Sequence, residues 1–189
     1  MTAEEVFAIY GGRGAEAYFG EKVTVTEHCL QAAHFAHACG ASDPLVLAAL
    51  LHDIGHLIAP APDDIADWKT DAGHEHVGAA WLLTRFGLAV SEPVRLHVHA
   101  KRYLCAREPD HFATLSPASV TTLGLQGGPM SPAQMLAFEA EPYFRDAVGL
   151  RRWDDQAKIA GFPVPDLAHY RPLIERLGIG QCGHRDDRS

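Results

Sequence analysis

No apolar run in this chain approaches the roughly 18–20 residues that a membrane-spanning helix needs, so no membrane partner is expected. The four cysteines, Cys29, Cys39, Cys105 and Cys182, are scattered without a CxxC pair, and they read as reduced thiols rather than a redox or zinc motif. Basic residues are in the minority: 16 Lys and Arg against 24 Asp and Glu give a net charge of −8. That balance argues against nucleic acid as a partner, because phosphate-backbone binding needs a basic face. A small anionic substrate stays open, since a metal ion or one lysine can outweigh the global field locally. The start, MTAEEVFAIY, has no basic n-region, apolar h-region or twin arginine, so no export signal is read and a cytoplasmic location is expected. Repeats, low-complexity tracts and long Pro/Ser linkers are also missing. One domain over residues 1–178 with a polar tail, 179–189, is the simplest organisation, and a chain of 189 residues can bury a core without disulfides.

Histidine is what the chain has in quantity, with twelve. The apolar period is helical nearly everywhere, and strand-like alternation never lasts beyond four residues. Helices are expected over Val23–Cys39, from Asp43-Pro44 through PLVLAALLHDIGH, over Gly73–Phe86, from Ser91-Glu-Pro toward Tyr103, from Ser116 and Ser131, and over roughly 142–160 and 166–177. Ser131-Pro-Ala-Gln134 is a capping box. The fold class is therefore all-α, with seven or more helices.

The segment LAALLHDIGH is apolar nearly all round, which marks a central buried helix ending in His52-Asp53. Charged side chains in such a place are costly unless paired or metal-bound. Asp53 also sits at a helix C-terminus, on the wrong side of the macrodipole, and a nearby cation would explain it. His56 follows His52 by four residues and shares its face. One His-Asp pair cannot hold a metal, so further ligands are sought in His28, His74 or its neighbour His76, His97, and Asp154 or its neighbour Asp155. Imidazole and carboxylate ligands suit iron, manganese or zinc without choosing among them.

The order His28, His52-Asp53, His74, His97, Asp154 resembles the HD-domain superfamily in its six-ligand, dinuclear form, an all-α helical bundle with a buried two-metal site. The spacing before E-x-V-G-A favours His74, and the match to W-D favours Asp154. The stretches YFGE (18–21), LAALLHDIGH (47–56), GHEHVGA (73–79), HVHAKRY (97–103), LSPASVTTLGLQGGPM (115–130) and RRWDDQAK (151–158) are similar to the small mixed-valent di-iron HD-domain oxygenases of organophosphonate catabolism. That resemblance implies two iron ions (Fe2+/Fe3+), with Asp53 bridging them. It also implies that O2 is used to oxidise a 1-hydroxyphosphonate at C1, breaking the C–P bond and releasing phosphate.

It further assigns expected roles. Tyr18 looks like the phenol that caps the second iron before substrate arrives, and Glu21 like the acceptor for a cationic substrate nitrogen. Lys101, one turn after His97, is placed to meet a phosphonate oxyanion. Ser119, Thr122, His56 and Gln126 are further donors to it. Ser119 and Thr122 can instead bond back to their own helix. The expected substrate is of the 1-hydroxy-2-aminoethylphosphonate type. The reading leans to the trimethylammonio form because Trp68, Trp153 and Tyr103 offer aromatic faces to a quaternary cation. The alternatives are a metal-dependent phosphohydrolase acting on a nucleotide or phosphate monoester, and a di-iron oxygenase acting on a polyol-like substrate. Oligomeric state is not expected to be legible from sequence.

Overall fold

A computed structural model describes residues 2–18, 21–59 and 73–179. Among them are eleven α-helices, one 3-10 turn and no strand beyond an isolated bridge between Ala17 and Thr24. None of these helices is long and apolar enough to cross a membrane. Helix α1 (Thr2–Arg13), which the apolar period did not disclose, lays Val6 and Tyr10 into the core, and Tyr10 donates its hydroxyl to the Leu50 carbonyl at 2.6 Å. Helix α2 (Val25–Ala38) starts at a full capping box, in which the Thr24 side chain accepts from the Glu27 amide and Glu27 accepts from the Thr24 amide.

The apolar segment from Asp43 does not run unbroken through His56. It is α3 (Asp43–Leu51), a turn at His52 and Asp53, and a short α4 (Ile54–Ile58). Asp53 leaves helical geometry at φ −98°, ψ 11°. The break satisfies burial on both sides of the turn while aiming two consecutive polar side chains inward.

Helix α5 (His74–Phe86) and α6 (Leu88–Arg107) are joined by Gly87 alone, at φ 78°, a conformation that favours glycine. Helix α6 begins three residues before the expected start at Ser91. Pro93 therefore lies inside it rather than at its first turn. The reason is tertiary: Val90, Ser91, Pro93 and Val94 are all buried, so packing overrides the proline signal. Six elements follow: α7 (His111–Thr114), α8 (Pro117–Leu125), α9 (Pro132–Glu139), α10 (Phe144–Gln156), and the 3-10 turn Leu167–Tyr170 leading into α11 (Arg171–Leu177). Ser116 and Ser131 cap α8 and α9 as their sequences indicate.

The main core gathers α1, α2, α3, α4 and parts of α5, α10 and α11. A second cluster joins Leu96, Ala100, Tyr103 and Leu104 of α6 to Phe138 and Ala147. Helix α6 packs on α5 and α10, and α2 packs on α3 and α10. Helices α4 and α5 meet at two glycines: a Cβ on Gly55 would strike the His74 carbonyl, and one on Gly78 would lie 3.2 Å from the Gly55 amide nitrogen. Only bare backbone allows this approach, and it presses the start of α5 against the His52-Asp53 turn.

Candidate metal centre

Five parts of the fold deliver polar side chains to one point, all buried except the half-buried His74: His28 from α2, His52 and Asp53 from the α3–α4 turn, His74 from the first position of α5, His97 from α6 and Asp154 from α10. They form two trios whose ligand atoms converge, His28–His52–Asp154 and Asp53–His74–His97. Asp53 faces both. Its Oδ2 stands 3.4 Å from His52 Nε2 and 3.7 Å from His28 Nε2, while Oδ1 stands 3.6 Å from His74 Nε2 and 3.9 Å from His97 Nε2.

The imidazoles are oriented by their other nitrogens. His28 Nδ1 donates to the Ala157 carbonyl at 2.8 Å, His52 Nδ1 to Ala49 at 2.9 Å, and His97 Nδ1 to Val94 at 2.7 Å. His74 Nδ1 lies 3.4 Å from Glu75 Oε2, a carboxylate in place of a carbonyl. A proton on Nδ1 leaves Nε2 of a neutral ring with a bare lone pair. Two such lone pairs then point at each other, His28 to His52 at 3.1 Å and His74 to His97 at 3.3 Å. That arrangement is repulsive unless a metal ion, or in its place a proton, lies between them. Asp53 Oδ2 is buried without a hydrogen-bond partner, which a cation would also remedy. The donor set therefore fits two metal ions, one with His28, His52 and Asp154 and the other with His74 and His97, and Asp53 within reach of both.

Charge follows the same plan. Burial opposes ionising Asp53, but His52, His56 and His74 around it hold its carboxyl well below the usual range. Burial likewise opposes ionisation of Asp154, and Arg151 overrides it, donating to Asp154 Oδ2 at 2.8 Å. Burial and His52 push His97 down to about 4, keeping it neutral as a ligand must be. Burial alone would lower His52, yet Asp53 beside it raises the imidazole to about 9.

The structure separates the paired candidates. Asp155 turns from the trios to Arg151 and to His111 Nε2 at 3.2 Å. His76 is exposed and stands 3.8 Å from Glu75. His34 packs against Phe35 and Phe162, away from the trios.

Around the trios, Tyr18 stacks flat on His28, ring centroids 3.9 Å apart. Burial, with Asp53 and Asp154 nearby, raises its phenol well above the ordinary value, so it stays protonated. His56 stacks on His74 at 3.8 Å. Lys101 is buried one turn after His97 and donates to Thr122 Oγ1 at 2.8 Å. Thr122 also donates its one hydroxyl proton back to the Ser119 carbonyl at 3.2 Å, the bond to its own helix that the sequence left open. Ser119 is buried on the same face of α8. Gln126, the C-cap of α8, keeps its Oε1 buried without a hydrogen bond, as does Glu21.

Of the aromatic candidates, Trp153 lies in the main core and Tyr103 packs on Phe138 while donating to Glu139 at 2.7 Å. Trp68 lies outside the described residues. Sequence reasoning passed over Arg151, Glu75 and Lys158. The signal for Lys158 was its spacing, four residues after Asp154, matching that of Lys101 after His97.

A helical bundle that buries a split His/Asp set of this order is a metal-dependent protein of the HD class. Residues 25–141 match the HD domain family, and the chain belongs to that family and, within it, to the phosphonate dioxygenases. It is 47% identical to a hydroxymethylphosphonate dioxygenase of Gimesia maris over 85% of this chain and 80% of that protein. It is 40% identical to a glycine-betaine-forming [1-hydroxy-2-(trimethylamino)ethyl]phosphonate dioxygenase of Leisingera caerulea over 92% and 89% respectively. A third relative, an uncharacterized protein of Acanthamoeba polyphaga mimivirus, is 36% identical over 92% and 80%.

Proposed function

We propose that this enzyme uses O2 and two iron ions to cleave the C–P bond of a 1-hydroxyphosphonate. The observation that carries the reading is the division of Asp53, one carboxylate oxygen to each buried trio. His28, His52 and Asp154 would hold one ion, His74 and His97 the other, and Asp53 both. Bound there, iron supplies Lewis acidity and one-electron chemistry with O2. The balance requires an oxidant, because carbon is a poor leaving group from phosphorus. One O2 accepts four electrons, one oxygen atom ends in the carboxylate and one in phosphate, and a proton is released.

The chain's own residues bind and exclude. Lys101, His56, Ser119 and Gln126 would present donors to the phosphonate oxygens, and Thr122 would join them on giving up its bond to the Ser119 carbonyl. The protonated Tyr18, packed on His28, closes the side of the site next to Glu21 until substrate enters.

Glu21 is read as the acceptor for a cationic nitrogen at the carbon end, with the trimethylammonio substrate preferred over the primary amine. The products would then be glycine betaine or glycine. A second reading, hydroxymethylphosphonate with formate as product, is favoured by Lys158 Nζ, which stands 3.9 Å from Glu21 Oε1 and offers that carboxylate a cation from within the chain.

The deciding experiment follows O2 uptake and phosphate release together on the iron-loaded protein with each of the three compounds, beside a nucleotide and a phosphate monoester. Equal release of phosphate without O2 would overturn the oxygenase reading in favour of a phosphohydrolase.

A further inference from the structure

Asp155 belongs to neither trio, yet its side chain is only 9% exposed, close to the 3% of its neighbour Asp154. The two acids follow each other on α10 and share one buried cation, Arg151. The sharing is unequal. Arg151 donates from Nε to Asp155 Oδ2 at 3.1 Å and from Nη2 to Asp155 Oδ1, a two-point fork. To Asp154 it turns Nη1, which stands 2.8 Å from Oδ2. The other oxygen of Asp154, Oδ1, faces the ligand imidazoles, 3.3 Å from His28 Nε2 and 4.0 Å from His52 Nε2.

A guanidinium beside a carboxylate favours the two-point fork, because two parallel hydrogen bonds match its planar geometry. Made to Asp154, that fork would engage both oxygens and compete with an ion for Oδ1. Made to Asp155, it leaves Oδ1 to the trio. Spacing does not decide between the two, since Arg151 lies three residues before one acid and four before the other, and both spacings bring side chains together on a helix. What differs is the outer support of Asp155. Its Oδ2 stands 3.2 Å from His111 Nε2, and His111 is tied to the end of α6 by its amide, which donates to the Glu108 carbonyl at 3.0 Å. Asp155 and His111 also line a cavity of about 480 Å³ together with Glu108 and Arg152.

We propose that Asp155 is a positioning residue of the metal centre. By engaging the Arg151 fork it restricts Arg151 to one oxygen of Asp154 and leaves Oδ1 to the ion held with His28 and His52. This rests on the reading of the trios as a two-metal centre, and its test reads metal binding rather than turnover.

Competition of the Co2+-loaded protein with a chelator, without O2, gives the affinity of each site. Asp155→Asn keeps the shape but offers Arg151 one acceptor oxygen and no charge, so the guanidinium turns toward Asp154. One of the two Co2+ affinities should fall about tenfold, and the other should stay as in wild type. His111→Ala disturbs the same wall of the cavity but leaves the fork, and should keep both affinities. In an Arg151→Gln background, Asp155→Asn should have no further effect, because Asp155 acts through Arg151. Asp155→Ser, whose smaller side chain opens onto the cavity, carries the same expectation should Asp155→Asn fail to fold. Unchanged affinities, equal weakening of both sites, or the full effect in the absence of Arg151 would each overturn the proposal. A protein that shows the split but consumes no O2 with any 1-hydroxyphosphonate would refute the oxygenase reading and leave Asp155 in its role. Phosphate release that depends on O2, with unchanged Co2+ affinities in Asp155→Asn, would refute Asp155 alone.

Discussion

Gly55 and Gly78 face each other across the α4–α5 contact, closely enough that a methyl group on either meets backbone of the opposing helix. Helix α4 follows directly on Asp53, and α5 opens with His74, so this contact sets the distance between a shared carboxylate and one of its imidazoles. Gly55→Ala would drive a Cβ into the His74 carbonyl, which cannot yield as a flexible side chain does. Overpacking of this kind costs about 1–3 kcal/mol. We expect a lowered thermal midpoint together with loss of one metal per chain, and a milder effect for Gly78→Ala. Thermal unfolding and elemental analysis of the two variants check this. Unchanged metal content in Gly55→Ala would show that the contact does not position His74.

Removing the shared carboxylate should differ from removing a terminal ligand. Asp53→Ala is expected to empty both sites, since each trio would lose its link and the facing imidazoles their common counter-charge. His97→Ala should weaken mainly the site it shares with His74. Metal counting on the purified variants decides it, and two ions per chain in Asp53→Ala would end the bridging model. Stripping the metals from wild type should lower its thermal stability by mass action, because ions that bind only the folded protein hold α2, α5, α6 and α10 to the α3–α4 turn.

Lys101 and Thr122 are joined by a 2.8 Å hydrogen bond in a nearly closed environment. Deleting the ammonium with Lys101→Ala would leave a phosphonate oxygen without a charge-assisted hydrogen bond of roughly 1.5–3 kcal/mol. The Michaelis constant should rise about ten- to a hundredfold, with a smaller change in kcat. Steady-state kinetics with phosphate detection reads both. A kcat loss at constant KM would instead place Lys101 in the oxidation step.

Glu21→Ala separates the candidate carbon ends. A primary ammonium donates directly to the carboxylate, so its loss removes a hydrogen bond and a charge attraction. A trimethylammonium loses the attraction only, and hydroxymethylphosphonate loses neither. The specificity constant should therefore fall most for the primary amine and least for hydroxymethylphosphonate. The companion variant Trp68→Ala tests the aromatic support for a quaternary nitrogen. If it leaves the ratio of trimethylated to primary substrate unchanged, Trp68 is not the selector.

Much of this protein was legible in short stretches of chain. The apolar LAALLHDIGH marked a buried element whose polar end demanded a cation, and helical period with Ser and Pro start signals located α2, α5, α8 and α9. These features are local: they depend on 3.6-residue periodicity and on side chains within a turn of one another. What tertiary structure decided is what depends on which backbones meet. The chain breaks at His52 and Asp53 because both flanks are buried at once, and Pro93 stays inside α6 because its neighbours pack. His74 faces the trios while His76 faces solvent, and Asp154 faces them while Asp155 turns to Arg151 and His111, although each pair is adjacent or nearly so in sequence. Asp53 meets His28, His74 and His97, which lie 21 to 44 positions away in the chain, at 3.6–3.9 Å, and Lys158 reaches Ser119, 39 positions away, at 2.9 Å. Residue order constrains neither distance. Packing of α2, α5, α6 and α10 around one buried turn does.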